Sequence, residues 1–253
     1  MYRDVSVLTR RPIAHRGYHD ASNPENSLGA FALAVNNNFY IELDIQLSKD
    51  KEIMVFHDLD LERMTGVKGF LHDYTLAELQ QFKLANTDYT IPTLKEVLDL
   101  VNKQTLIVVE LKDYKPDNEE LVDKAIAMLR EYKGLFVVKS FNPLIMNMFL
   151  KKAPDFIRGQ LVCSFKGEKS LSIFSKFLLK NLLTNFLSKP DFISTDYNYY
   201  TSRIRKLHKK GLCVICWTVR DSEIYKKTHE LFDNVIFENF DPTTVKVAKK
   251  ISR

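Results

Sequence analysis

The sequence predicts a (β/α)8 TIM barrel, in which eight parallel β-strands form a closed sheet, with a small insertion after a hairpin at the second strand. The chain has 253 residues, a usual length for one such barrel as well as for two smaller domains. Short apolar runs alternate with helix-like segments along the chain, and this alternation favours parallel strands. Because eight such runs remain when the returning arm of the hairpin is set aside, we predict one barrel domain over residues 1–253.

The predicted elements follow one another in this alternating order. Barrel strands are expected around Ile13, Ile41, Ile107, Phe136, Leu161, Phe192, Val214 and Val235. Helices are expected over residues 28–35, 94–101, 119–132, 143–151, 201–210 and 221–231, and a longer helical region over 171–187. Thr93 directly precedes one of these helices, and Glu96 follows it at the spacing of an N-terminal capping box. Residues 59–92 contain two short helical patches at most, the clearer over 76–82, and are predicted to form the insertion.

Residues 41–57 predict the hairpin at the second strand. Glu42 and Asp44 alternate with apolar residues, so the two carboxylates share one face of a strand. The polar run over residues 48–52 is typical of a turn. A turn centre near Asp50 and Lys51 pairs Asp44 with His57 across the ladder, although a register change of one residue would shift this pairing. We therefore expect an imidazole beside two carboxylates.

The overall composition is that of a soluble globular protein. The chain is 45% hydrophobic and 27% charged, with 37 basic and 32 acidic residues and a formal net charge of +5. This balance does not indicate a nucleic-acid-binding protein, and no nucleic-acid partner is expected. The basic residues that cluster late in the chain are interpreted as solvated helix faces.

The cysteines and the N-terminal residues bear on the expected compartment. The chain has three cysteines, Cys163, Cys213 and Cys216. Cys213 and Cys216 form a CxxC string, but the sequence has no second CxxC or histidine pair to complete a metal site. We expect buried free thiols, which suit the reducing cytoplasm. Residues 1–11 lack the apolar segment of a secretory signal. A cytoplasmic location is therefore expected, with peripheral contact at a membrane as the alternative.

Charged residues lie at or near the predicted carboxyl ends of strands, where barrel active sites are found. They are His15, Arg16, Glu42, Asp44, His57, Glu110 and Lys112. The three carboxylates offer a hard oxygen-rich site suited to Mg²⁺ or Ca²⁺. The two histidines could act as general base and general acid. The positive charges of the arginine and the lysine suit an anionic phosphate. Together these residues predict metal-assisted phosphoester cleavage.

Several strings in this sequence carry a family resemblance. They are, in order, IAHRG, PENS, IELDIQLSKDKEIMVFHD followed by LERMTG, IPTLKEVL, VELK, KSF and WTV. On these strings, which span about residues 13–219, the chain resembles the glycerophosphodiester phosphodiesterase family. That resemblance implies a phosphodiesterase barrel with a small insertion after the hairpin. It also implies cleavage of a small-molecule glycerophosphodiester to glycerol 3-phosphate and an alcohol.

The resemblance also implies residue roles. It makes His15 and His57 the acid/base pair, and Arg16 and Lys112 the phosphate contacts. It makes Glu42, Asp44 and Glu110 the ligands of a divalent metal. Which histidine acts first, which metal is preferred and which alcohol is released stay open, as does the oligomeric state.

Other residues in the matching strings have two open interpretations. Glu25 and Asn26 could hold the HRG loop or contact the substrate directly. Asp58 could orient His57 or simply end the strand, and Trp217 could form the floor of a glycerol site or pack in the interior.

The chain departs from the family pattern at three places. Residues 237–242 differ from a TDxP-like string, residues 49–51 lack the usual glycine, and Arg63, Met64 and Thr65 stand where a pair of threonines is usual. These departures leave the histidines and carboxylates in place.

Two other functions are compatible with the same residues. One is a related phosphodiesterase acting on lysophospholipids, and the other is a catalytically silent barrel that binds glycerophosphodiesters. Residues 171–187 add a further alternative, because their lysines and large apolar residues could contact a membrane surface. The interpretation favoured for 171–187 is an ordinary barrel helix packed against its neighbours.

Overall fold

The computed structural model describes residues 3–112, 114 and 118–247. The strands in this part of the chain are β1 (Ile13–Ala14), β2 (Tyr40–Leu47), β3 (Ile53–Val55), β4 (Ile107–Leu111), β5 (Phe136–Ser140), β6 (Arg158–Val162), β7 (Phe192–Asp196), β8 (Cys213–Val219) and β9 (Asn234–Phe237). They form one sheet in the order β1-β9-β8-β7-β6-β5-β4-β2-β3, and β1 also pairs with β2. This last pairing closes eight parallel strands into a barrel flanked by helices, while β3 is the antiparallel arm of a hairpin. The predicted fold class is confirmed.

Most helices in the described residues lie within a few positions of the predicted ones. They are α1 (Leu28–Asn36), α2 (Glu62–Thr65), α3 (Leu76–Leu79), α4 (Leu94–Val101), α5 (Glu119–Glu131), α6 (Pro143–Lys152), α7 (Ile173–Lys180), α8 (Asn185–Ser188), α9 (Ser202–Lys209) and α10 (Ser222–Leu231). Short 3-10 turns cover Ser6–Thr9, Leu71–Asp73 and Pro242–Thr244. The Thr93 side chain accepts from the Glu96 N–H at the start of α4, and Glu96 accepts in return, as predicted. Across the described residues, no helix combines the length and apolar character that crossing a membrane requires.

The chain divides into two compact units, Ile13–Val138 and the combination of Met1–Pro12 with Lys139–Arg253. The organisation as a single domain stays a prediction. In the first unit, every residue of β2 is buried. Its parallel register with β4 sets Asp44 beside Glu110, so the alternating pattern of both strands brings their carboxylates together.

The insertion in this unit has a small core of its own. Leu61, Met64, Leu71 and Leu79 pack in a buried cluster with Phe56, which directly follows β3. The two short helices predicted between residues 59 and 92 are present as α2 and α3. The cluster ties the insertion to the end of the hairpin, so the position of the insertion is set by apolar burial.

The hairpin register differs from the prediction by one residue. Ile45 pairs with Val55 and Leu47 with Ile53. Asp44 therefore lies opposite Phe56, whose N–H donates to the Asp44 carbonyl at 2.9 Å. The predicted pairing of Asp44 with His57 was wrong because the loop over residues 48–52 is centred on Asp50, and not between Asp50 and the next residue.

The second unit contains β6 to β9 and the three free cysteines. Cys213 and Cys216 are buried as predicted, and Cys163 is half-buried. The predicted helical region 171–187 is two helices, because the chain between α7 and α8 turns at Leu182, where φ is 53°. The region is therefore not one continuous helix. No residue of α7 is fully buried, and Ile173 and Phe174 are largely exposed, while Leu178 and Leu179 are half-buried.

Candidate active site

Three carboxylates meet between the middle of β2 and the carboxyl-terminal part of β4. Each of Glu42, Asp44 and Glu110 offers an oxygen that lies within 4.8 Å of those of the other two, and all three residues are buried. Glu42 and Asp44 are two apart on β2, and so share a face, while Glu110 lies beside Asp44 in the parallel register. Strand geometry alone therefore builds the cluster.

Lys112 is the main cation within this cluster. Its Nζ lies 2.8 Å from Asp44 Oδ1 and 2.6 Å from Glu110 Oε1, and the side chain is almost fully buried. Burial opposes the charge on Lys112, but the two carboxylates outweigh that effect and raise the pKa of Lys112 above its ordinary value. Burial likewise opposes ionisation of Asp44, yet the charges of Lys112, His57 and Arg16 hold the pKa of Asp44 well below its ordinary value. The Asp44–Lys112 pair is therefore ionic.

The HRG string forms a tight turn after β1. Arg16 has φ of 54° and Gly17 of 82°, the left-handed region that favours glycine. A Cβ on Gly17 would also lie 2.8 Å from Ala30 atoms of α1, so glycine is required by space as well as by conformation. The turn directs the Arg16 N–H toward Glu42, which accepts it at 3.1 Å.

Residues of the PENS string hold this turn. Glu25 accepts from Arg16 Nη1 at 2.6 Å, and Asn26 donates from Nδ2 to Asp44 Oδ2 at 3.0 Å. The Asn26 N–H also donates to the Arg16 carbonyl at 2.9 Å. Arg16 completes the arrangement with its Nε 3.4 Å from Asp44 Oδ2. These contacts support the interpretation in which Glu25 and Asn26 hold the HRG loop.

His57 is oriented by a chain of ion pairs and hydrogen bonds that connects it to the HRG turn. Its Nδ1 lies 2.7 Å from Asp58 Oδ1, and Asp58 Oδ2 accepts from Arg63 Nε at 2.5 Å. Arg63 then donates to both oxygens of Glu25, at 2.6 and 3.0 Å. The structure therefore links His57 to Arg16 through Asp58, Arg63 and Glu25.

Burial raises the pKa of both carboxyls in this line, but their partners reverse the effect. For Asp58 the hydrogen bonds from His57 and Arg63 outweigh burial, and its pKa lies well below the ordinary value. For Glu25 the hydrogen bond from Arg63 and the charge of Arg16 lower the pKa in the same way. Both groups are therefore carboxylates at neutral pH.

Three residues of the site were not predicted. Arg63 lies within the LERMTG string, yet the sequence did not show its bridge between Asp58 and Glu25. Gln46 follows Glu42 and Asp44 on the same strand face and donates to the carbonyls of Phe56 and Asp58, at 3.0 and 2.8 Å. The alternation of β2 could have identified it.

The third unpredicted residue is Tyr114, two positions after Lys112. Its hydroxyl donates to the carbonyl of His57 at 2.7 Å, and burial raises the pKa of Tyr114 to about 12. The hydroxyl therefore stays protonated at neutral pH and acts as a donor that fixes the His57 backbone.

His15 and Trp217 were also predicted to be site residues. His15 directly follows β1 and is half-buried. Trp217 lies on β8 in the second unit, with its ring edge-on to Phe141 at 5.8 Å between centroids. Its Nε1 is buried and has no hydrogen-bond partner among the described residues. The roles of both residues stay predictions.

The chemistry of the donor set fits a divalent cation. Three carboxylates converge, and Lys112 and Arg16 offset two of their negative charges when all are ionised. One buried negative charge then remains, and hard oxygen donors of this kind bind Mg²⁺ or Ca²⁺. Glu42, Asp44 and Glu110 could hold such an ion.

Comparison with known families identifies the class of protein that carries this arrangement. Residues 15–245 match the model of the glycerophosphoryl diester phosphodiesterase family. The chain belongs to that family. The predicted family and enzyme class are thereby confirmed.

Individual relatives agree with this placement. The Bacillus subtilis protein YhdW is 28% identical over 247 residues, which cover 94% of this chain and 97% of YhdW. A glycerophosphodiester phosphodiesterase of Bacillus altitudinis is 37% identical over 153 residues, which cover 56% of this chain and 62% of that enzyme. An Oleispira antarctica phosphodiesterase, solved in complex with the product sn-glycerol-3-phosphate, superposes with a TM-score of 0.77. It is 23% identical, with 91% of this chain and 93% of that chain covered, and shows the shared fold.

Acid will destabilise the fold through Asp58 and Glu25. Their pKa values are lower in the folded chain than in the unfolded one, so the stability they contribute is complete above about pH 4.5 and is lost as pH falls through the folded values. We expect the free energy of unfolding, measured with urea at a series of pH values, to fall on acidification. Asp58→Asn should flatten that slope, whereas Asp88→Asn, at a fully exposed position, should leave it unchanged. Equal slopes in Asp58→Asn and the unaltered chain would contradict this account.

Proposed function

We propose that this chain hydrolyses glycerophosphodiesters to glycerol 3-phosphate and an alcohol. The observation that carries the proposal is the cluster of Glu42, Asp44 and Glu110 around Lys112, beside the oriented imidazole of His57. Family membership supports the same reaction, as does the product found in the Oleispira antarctica phosphodiesterase.

Glu42, Asp44 and Glu110 are the proposed ligands of a divalent metal, Mg²⁺ or Ca²⁺. When bound, such an ion would neutralise phosphate charge and lower the pKa of a coordinated hydroxyl or water. Lys112 keeps two of the three carboxylates in place through its ion pairs. Because the carboxylates are already gathered and buried, little ordering is needed on binding.

His15 and His57 are the proposed acid/base pair. The carboxylate of Asp58 accepts from Nδ1 of His57, which leaves Nε2 as the atom through which His57 takes up or releases a proton. One histidine deprotonates the attacking hydroxyl, whose oxygen bonds to phosphorus, and the other protonates the departing alcohol oxygen as its bond to phosphorus breaks. If the attacking hydroxyl belongs to the glycerol, water then opens the resulting cyclic phosphate to give glycerol 3-phosphate. The order in which the two act is open in this proposal.

Arg16 and Lys112 are the proposed phosphate contacts, and Trp217 is a proposed contact of the glycerol. The two cations are already paired with Asp44, so they approach an anionic phosphate from fixed positions. This fixed placement favours recognition of a phosphodiester by charge and geometry together.

A small cavity lies next to Lys112. It is lined by two leucines and five polar side chains, Gln46, His72, Lys112, Tyr114 and Asn118. Lysophospholipid turnover and silent binding remain the outcomes that an activity assay must separate. A cytoplasmic location and contact of residues 171–187 with a membrane are further predictions.

We expect release of glycerol 3-phosphate from glycerophosphocholine and glycerophosphoethanolamine with Mg²⁺ or Ca²⁺, and loss of that release with chelator. His57→Gln should lower kcat at least about a hundredfold, because proton transfer by a positioned side chain contributes at that level. His229→Gln on α10 is the matched control and should retain full activity.

The same assay separates the alternatives. Turnover of lysophosphatidylcholine but not of glycerophosphocholine would assign the lysophospholipid activity. Binding of glycerophosphocholine without turnover under any metal condition would assign the silent barrel.

Arg63 is predicted to be a positioning residue for this reaction. Arg63→Gln removes the bridge between Asp58 and Glu25, so kcat should fall about tenfold to a hundredfold with a smaller change in KM. Arg63→Lys keeps the charge but not the planar fork, and should recover only part of the loss. Arg130→Gln, at an exposed position of α5, serves as the control. An unchanged kcat in Arg63→Gln would show that the bridge has no part in catalysis.

A further inference from the structure

The segment from Lys166 to Lys189 presents large apolar side chains to solvent. Ile173 is 88% exposed, Phe174 70% and Phe177 51%, and Phe186 beyond the turn is 72% exposed. The three most exposed large apolar residues of the described chain all lie in this one segment. Exposed apolar residues gathered in this way mark an interaction surface rather than ordinary surface scatter.

The three exposed apolar residues of α7 lie on one side of the helix. Ile173, Phe174 and Phe177 are separated by one and three positions, so their side chains cover adjoining directions around the helix. Lys176 and Lys180, four apart, lie along one edge of that face. These three apolar side chains are therefore directed toward solvent, while Leu178 and Leu179 of the same helix are half-buried.

The charge of the segment is strongly one-sided. It contains five lysines, Lys166, Lys169, Lys176, Lys180 and Lys189, against one acidic residue, Glu168. None of these lysines forms an ion pair with another described residue. Glu168 is itself engaged by the N–H and hydroxyl of Ser170. The lysines are therefore available to an external anionic surface.

The segment is held to the protein at its far side. Leu182 and Ser188 are buried, and the hydroxyl of Tyr199 donates to the carbonyl of Lys180 at 3.2 Å. Ser172 caps the start of α7 by accepting from Ser175 N–H. The exposed face is thus displayed by a formed and anchored helix, so little ordering is needed when it binds.

From this arrangement we infer that the α7 surface, formed by Ile173, Phe174, Phe177, Lys176 and Lys180, docks the protein on an anionic lipid bilayer, with the other three lysines and Phe186 nearby in the chain. The aromatic and aliphatic side chains enter the interface, and the lysines lie at the level of the anionic headgroups. A bilayer surface accommodates a convex apolar helix face and a diffuse positive charge at once. This inference does not depend on the proposed reaction.

The experiment is co-flotation of the full chain with vesicles of phosphatidylglycerol and phosphatidylcholine in equal parts, beside vesicles of phosphatidylcholine alone. We expect binding to the anionic vesicles, weakened by salt, and little binding to the neutral ones. The variant I173S/F174S/F177S should bind more than about a hundredfold more weakly, because three apolar side chains no longer leave water. K176Q/K180Q should bind about thirtyfold more weakly, since each lysine contributes roughly fivefold.

The matched control is L135S/L144S/L231S, which alters three half-exposed leucines outside the segment and should bind as the unaltered chain does. Glycerol 3-phosphate release from soluble glycerophosphocholine, measured on the same variants, should be unchanged, so failure of lipid docking is distinguishable from failure of the reaction. Two results would overturn the inference. One is no binding of the unaltered chain to anionic vesicles at low salt. The other is a self-associated form in light scattering that I173S/F174S/F177S dissociates, which would assign the surface to a second copy.

Discussion

The interaction on which the site depends is the pairing of Lys112 with Asp44 and Glu110. Three carboxylates gathered away from water are unfavourable unless cations accompany them. Lys112 supplies one cation from the end of β4 and Arg16 a second from the turn after β1. The closeness of the carboxylates follows from strand alternation and parallel register, and the cations make that closeness tolerable. Loss of either partner would leave buried charge uncompensated.

The insertion contributes to this site through packing as well as through charge. Its apolar cluster joins Phe56 to α2 and its neighbours, and α2 carries Arg63. Arg63 then fixes Asp58 on one side and Glu25 on the other. The position of His57 relative to the HRG turn therefore depends on the apolar core of the insertion. The insertion, which lies outside the barrel strands, therefore helps to position the proposed acid/base residue.

Much of the arrangement was predictable from local patterns. Alternation of apolar runs and helical segments identified the barrel, and the spacing of Thr93 and Glu96 identified the start of α4. Glu42 and Asp44 were placed on one face by the period of a strand. These features depend on neighbours close in sequence, for which the rules of local geometry suffice.

The remainder depends on contacts that local patterns do not specify. The predicted register of the hairpin was wrong by one residue, because the centre of a five-residue turn cannot be located from composition alone. The bridge from Arg63 to Glu25 joins residues 38 positions apart. The amphipathic pattern of α7 was visible, but whether its apolar face is covered depends on the tertiary placement of the helix. The roles of His15 and Trp217 depend on substrate geometry in the same way.

The most direct test of this account measures Mn²⁺ binding by electron paramagnetic resonance, without substrate or turnover. The account predicts one Mn²⁺ per chain, displaced by Mg²⁺ or Ca²⁺, with Glu110→Gln weakening the affinity by at least about tenfold. Glu120→Gln, which alters a half-exposed carboxylate on α5 that pairs with Lys51, should bind as the unaltered chain does. Equal Mn²⁺ affinity in Glu110→Gln and the unaltered chain would contradict the assignment of the carboxylate cluster as the metal site.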